Sequence, residues 1–273
     1  MNNNEQQTES YLQRISDILL INGGFLDSPG LYTGEMGLVL FFSNYYFFTK
    51  NELYLEYSID LIEKIQNRIH QDTSINYKHG LAGIGATIEY LVQEGYVEAD
   101  TDDILEDIDH RLFSINDLSH LTVEKIFGIG YYAIWRLLGK SALKATILKT
   151  VLAPIVNVMS EWSEKNNLMH HPIISFFNEV VAYENFAIVQ DRPFLWNHLI
   201  CRNSPYLKTE SYNSFLEYFS SNDYNSINKV NLGIQNGLAG WGLSLLTELE
   251  GYDLWISLFP NDLIPLKNEP LPL

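Results

Sequence analysis

Cysteine is all but missing from this chain: Cys201 stands alone among 273 residues, so no intrachain disulfide can form. Cations are scarce too. Seventeen Lys and Arg face 34 Asp and Glu, a formal net charge of -17. Affinity for a phosphate backbone rests on cationic neutralisation, so no nucleic-acid partner is expected and a cationic or neutral one fits better. There is no uninterrupted apolar run of about 18 residues, the length a membrane-spanning helix needs. The opening MNNNEQQTES has neither a basic nor an apolar region, so it does not read as a secretion signal, and a cytoplasmic location is expected.

What is present is core material, 46% hydrophobic and 13% aromatic residues. It is organised around glycines. Tyr77 to Leu91, YKHGLAGIGATIEYL, carries Gly80, Gly83 and Gly85 at the mouth of an apolar helix. A near copy, NGLAGWGLSLL, places Gly237, Gly240 and Gly242 in the same spacing, and looser versions hold Gly34 with Gly37 and Gly128 with Gly130. Gly34 to Gly80 is a step of 46 residues and Gly83 to Gly128 one of 45. A period of that size reads as a repeat of helical hairpins spanning nearly the whole chain. Glycine costs helix stability, roughly 1 kcal/mol against alanine, so packing must require it here. Positive φ at the loop entering each helix and close approach of another backbone are the two uses on offer.

Taken in order, Ser10 to Ile21 reads as a first outer helix ended by Asn22, Gly23 and Gly24. LVLFFSNYYFF follows as a buried inner helix. Asn51 is placed to cap the next outer helix, in which Leu55, Ile59, Ile62 and Ile69 form the apolar stripe. Thr101 reads as the N-cap of DDILEDIDHRLF, and the acidic run from Glu98 to Asp109 as a solvated helix face rather than a calcium loop. Asp117 or Ser119 is the expected cap of the third inner helix, and Pro154 is expected to kink the long segment Ser141 to Trp162. A fourth inner helix is expected at Pro172 to Val189, a loop-rich insertion at 190–231 and an irregular tail at 260–273. The reading is a single all-α domain over 1–273, a toroid or partial barrel of about five inner and outer helix pairs.

At HGLAGIG and NGLAGWG the chain resembles the lanthionine synthetase C (LanC) family, in particular its short LanC-like members. The resemblance implies an α/α toroid of Gly-rich inner helices ringed by outer ones, and the full proteins have seven pairs where this chain has length for fewer. It also implies a place in the maturation of ribosomally made peptides, with a precursor peptide or a maturation enzyme as partner. The family's enzymes hold zinc through two cysteines and a histidine, the later pair in a Cys-His-Gly loop, and the zinc makes a peptide thiol into a thiolate. Here Gln235 and Asn236 precede the last loop's glycine, so no zinc ligand is carried over and no cofactor is expected.

The remaining chemistry is modest. His79 stands where the family can place a histidine, and its ordinary pKa suits proton transfer; the alternative is a helix-entrance histidine bonded to its loop. Tyr32, Glu35, Tyr77, Gln235, Asn236 and Trp241 are expected near the same mouth, a set able to hold a peptide or sugar, although aromatics of such a repeat are often core. Adjacent His170 and His171 point about 100° apart on a helix and lack a third ligand, and Cys201 reads as a passive thiol. Because α/α toroids also house carbohydrate enzymes, Glu35 with His79, or with Glu179 or Glu184, forms a second reading, and a structural scaffold a third. A partial toroid exposing apolar edges would also dimerise.

Overall fold

A computed structural model of the chain describes residues 3–115, 117–165, 177–178, 180–181, 231–235, 237–251 and 254–260. Among these the chain is helical and contains no strand. The fold class is therefore all-α. The described residues belong to two compact units, Met1–Thr73 with Asn203–Leu254 and Ser74–Arg202 with Trp255–Leu273.

The first unit contains α1 (Asn3–Asn22), α2 (Glu35–Thr49), α3 (Glu52–Arg68) and α10 (Leu238–Glu250). The helix α2 is apolar all round and buried from Glu35 to Tyr45. Its neighbours are α3 and α10, and α10 also packs on α1. Asn51 caps α3 as expected, its side chain accepting the Leu53 N–H at 3.2 Å. Asn51→Ala is expected to lower stability by about 1 kcal/mol, read from the urea midpoint at unchanged slope. The apolar stripe of α3 requires a correction. Its buried face is Tyr54, Ser58, Leu61 and Ile65, whereas Ile59 is exposed. Facing α2, Ser58 shares a 2.8 Å hydrogen bond with buried Ser43, and Tyr54 stacks on Phe42. Partners on α2 chose a face that aliphatic content alone does not mark.

The second unit contains α4 (Leu81–Gln93), α5 (Thr101–Ile104), α6 (Glu106–Phe113), α7 (Val123–Leu138), α8 (Lys144–Thr146), a π-helical turn Ile147–Leu152 and α9 (Ala153–Lys165). Helices α4 and α7 pack together, with α6 against α4 and the π turn against α7. Pro154 is the second residue of α9, one residue after the π turn, in the first turn of a helix, where a missing N–H is tolerated. Two expected caps shift by a few residues. Asp100, not Thr101, accepts the Asp102 N–H, and Thr122, not Asp117 or Ser119, caps α7. The expected fourth inner helix lies largely outside the described residues, as do the tail beyond Pro260 and the insertion apart from Asn231.

The three glycine-led repeats share one loop. Ser28, Ser74 and Asn231 each accept, through a side-chain oxygen, the N–H two residues on. Their carbonyls then accept the N–H seven residues on, from Glu35, Leu81 and Leu238, at 2.8–2.9 Å. The first glycine of each motif faces that carbonyl so closely that a Cβ on Gly34, Gly80 or Gly237 would overlap it. Positive φ is not involved: the three adopt φ of -120°, -142° and -138°. Among the described residues the left-handed glycines are Gly95 and Gly251, both at helix C-termini.

Later glycines make room for neighbouring repeats. A Cβ on Gly85 would lie 2.5 Å from the Tyr132 ring, and one on Gly130 would lie 2.7 Å from Phe177. Both partners stand 47 residues further on. Gly242, in the last motif, is covered in the same way by Phe41, in the first. Gly128 meets the Tyr77 side chain of the preceding loop, and Gly37 meets Ile234 of the last loop. Such pairings join successive motifs within the second unit and, within the first unit, the last motif to the first.

Candidate functional site

The residues expected at one mouth belong to both units. In the first, Tyr32, Glu35, Gln235 and Trp241 are described. The Tyr32 carbonyl accepts the N–H groups of Ile234 and Gln235, both at 2.9 Å, which brings the first and last glycine loops together. The Tyr32 side chain is fully buried, while Gln235 and Trp241 are partly exposed.

Glu35 opens α2 and is also fully buried. Its carboxylate takes Lys64 at 2.5 Å and Arg68 at 2.7 Å, both from α3. Lys64 donates in turn to the Gly24 carbonyl at 2.8 Å, and Arg68 to the Leu26 and Asp27 carbonyls. The group is a three-point tie between a helix start, the end of α3 and the loop that leads into the motif. Both carboxylate oxygens are engaged in holding that loop.

In the second unit Tyr77 is core. Its hydroxyl donates to the Leu258 carbonyl at 3.0 Å and its ring meets Tyr131 edge-on. His79 is exposed at the start of α4, its backbone N–H bonded to Asn76 Oδ1, which also takes the Lys78 N–H. Partial desolvation and the neighbouring Lys78 charge hold the imidazole below its ordinary pKa, against an opposing pull from Glu124. A neutral ring able to accept a proton or hydrogen bond follows at neutral pH. Beside it, Lys78 and Glu124, both largely buried, form an ion pair at 3.1 Å that joins the α4 entrance to the start of α7. Asn236, Cys201, Glu179, Glu184 and the His170–His171 pair lie outside the described residues.

Sequence reasoning missed a dense polar group in the second unit. Arg136, on α7, is fully buried. It donates to Glu89 of α4 at 2.6 Å, to Asp102 and Thr101 of α5 at 2.5 and 3.0 Å, and to Asp109 of α6 at 2.9 Å. Asp109 also accepts the Tyr132 hydroxyl at 2.5 Å, and Glu89 takes Gln93. The acidic run is therefore not wholly a solvated face: Asp103, Glu106 and Asp107 are exposed, whereas Asp109 is buried and Asp102 turns toward the arginine. Burial pushes Glu89 and Asp109 above the usual carboxylate range, against the pull of Arg136. For Asp102 burial is outweighed by bonds from Ser141, the Ala142 N–H and Arg136, which hold it below. A lone arginine in an apolar stretch, IFGIGYYAIWRLL, was the available signal.

Glycine-led helix entrances, a repeat step near 46 residues and an all-α fold define a helical-repeat protein of the LanC type. The sequence profile of the lanthionine synthetase C-like protein family matches residues 26–176, more than half of the chain, and the chain belongs to that family. No curated protein matches it. The family's zinc site tests the donor set directly. Two cysteines and a histidine are required, and the whole chain has one cysteine. Among the described residues no cluster of three His, Cys, Asp or Glu side chains has the geometry to hold a metal ion. The residues do not fit that zinc. No described helix is long and apolar enough to cross a membrane.

Proposed function

We propose that this LanC-like protein binds a ribosomally made precursor peptide, or the maturation enzyme carrying it, without performing zinc-dependent thioether formation. The observation that carries the reading is the contrast between a retained scaffold and a missing donor set. Three glycine loops keep the same hydrogen bonds, yet Gln235 and Asn236 occupy the place of the family's Cys-His pair and the single Cys201 cannot supply two thiolates. The contact groups proposed are taken unit by unit: Gln235 and Trp241, partly exposed in the first, with buried Tyr32 and Glu35 in the same loops, and exposed His79 in the second, with buried Tyr77 in its loop. A chain of net charge -17 favours a partner with basic residues.

Titration calorimetry against a panel of unmodified precursor peptides, beside metal analysis of the purified protein, tests this. Saturable binding of at least one peptide is expected, weakened several-fold by His79→Ala, with less than a tenth of an equivalent of zinc. One zinc per chain, or thioether formation in a peptide containing dehydrated residues, overturns it.

A further inference from the structure

A cavity of about 610 Å³ opens in the second unit between the end of α6, the loop that follows, α7 and the outer segment from Thr150 to Lys165. That is the size of a site for a small molecule or a few side chains. Leu112, Ile129, Val151, Ile155 and Val158 give it an apolar lining, and Phe113 and Trp162 add aromatic walls. Of the glycine motifs it shares only Ile129, so it is separate from the entrances discussed above.

Polar groups line it too, and carboxylates outnumber cations among them. Asp117 and Glu161 stand there with Lys165, Ser119 and Thr150. Asp117 is fixed as an acceptor: Ser119 donates to it through its hydroxyl at 2.6 Å and its N–H at 2.9 Å. These bonds, with His120 at 3.2 Å, hold its carboxyl below the usual range. An acidic partner meets these two carboxylates and the chain's overall -17; a basic one is attracted by both.

We propose that this cavity is a docking site for a peptide segment in which bulky apolar side chains stand next to lysine or arginine, the apolar groups filling the pocket and the cations pairing with Asp117 and Glu161. The proposal narrows the peptide reading above to a class of sequence and rests on it for biological meaning. The binding itself is testable alone.

The probe is a short capped peptide with a Trp-Leu pair between two lysines, titrated into the full chain by fluorescence anisotropy. Replacing its lysines by glutamates is expected to weaken binding at least tenfold, and replacing the Trp-Leu pair by serines to abolish it. On the protein, the surface double variant Asp117→Lys with Glu161→Lys should cost about tenfold without altering the circular dichroism spectrum, and Val158→Trp should block the pocket by volume. Equal binding of the acidic peptide, or unchanged binding in both protein variants, overturns the site. Should precursor peptides bind while these variants leave that binding intact, the pocket assignment falls and the peptide reading stands. Should the probe bind and respond as expected while no precursor binds, the reverse holds. A concentration-dependent dimer that Val158→Trp dissolves would assign the cavity to a second copy and overturn the proposal.

Discussion

Replacing Arg136 by methionine should cost about 3–5 kcal/mol, the range for removing one partner of a buried ion pair. Against a total stability of about 5–15 kcal/mol, that is enough to leave the second unit partly unfolded. The reason is the number of groups that depend on one guanidinium. Glu89, Asp102 and Asp109 come from three helices, α4, α5 and α6, and all three pair with it. Methionine fills much of the space but leaves Glu89 and Asp109 charged and buried. Arg136→Lys keeps the charge and loses the planar fork, so most of the loss should remain.

Acid should rescue the methionine variant in part, and the sign follows from proton binding. Burial raises the folded-state pKa of Glu89 and Asp109, so the native protein binds protons more tightly than the unfolded chain. Their contribution to stability is largest below their unfolded titration and declines as pH rises through the folded one. Without Arg136 its pull is lost while the Tyr132 bond to Asp109 and the Gln93 and Thr101 bonds to Glu89 remain, so the folded pKa values climb further and the window widens toward neutrality. Asp102 behaves oppositely, since its lowered pKa stabilises above its unfolded titration and is lost on acidification. Urea melts of wild type and variant at pH 5 and pH 8 measure the effect. A smaller difference at pH 5 supports the hub, and a loss under about 1 kcal/mol at both pH values refutes it.

Gly80→Ala is expected to cost about 3–4 kcal/mol, at or above the top of the overpacking range. The methyl group would overlap the Ser74 carbonyl oxygen, which is backbone and already accepts the Leu81 N–H at 2.8 Å. No rotamer change relieves such a clash; the loop must move, and a net hydrogen bond of about 1 kcal/mol goes with it. Gly24→Ala is the matched control. Nothing stands within 4 Å of a Cβ there, so alanine should be neutral or stabilise by up to about 1 kcal/mol. Thermal unfolding of the pair decides the matter: similar midpoints would mean that the glycines are not held by close approach. Because the same loop carries His79, loss of peptide binding in Gly80→Ala alone would not identify a contact residue, whereas His79→Ala would.

Much of the fold was legible because helix periodicity and capping are local. Asn51 lay before an amphipathic run, and it caps that helix. The glycine motifs were legible as motifs, but their purpose had two candidate explanations, and only the backbone angles and the neighbouring carbonyls separate close approach from positive φ. The Ser or Asn six residues ahead of each leading glycine was a further signal in plain view at Ser28, Ser74 and Asn231. Its meaning depends on a turn that residue spacing does not display.

By itself the sequence determined an all-α repeat, the places where glycine is required and the lack of a second thiolate, since each follows from residue type and short spacing. The tertiary structure decided which face of α3 meets α2, which acids of the 98–109 run turn inward, and that the last motif packs on the first. Those outcomes depend on partners far away in the chain, Ser43 for Ser58, Arg136 for Asp102 and Asp109, Phe41 for Gly242. A local hydrophobic pattern says that a side chain is to be buried or paired. Only packing, which brings distant segments within a few ångströms, says against what.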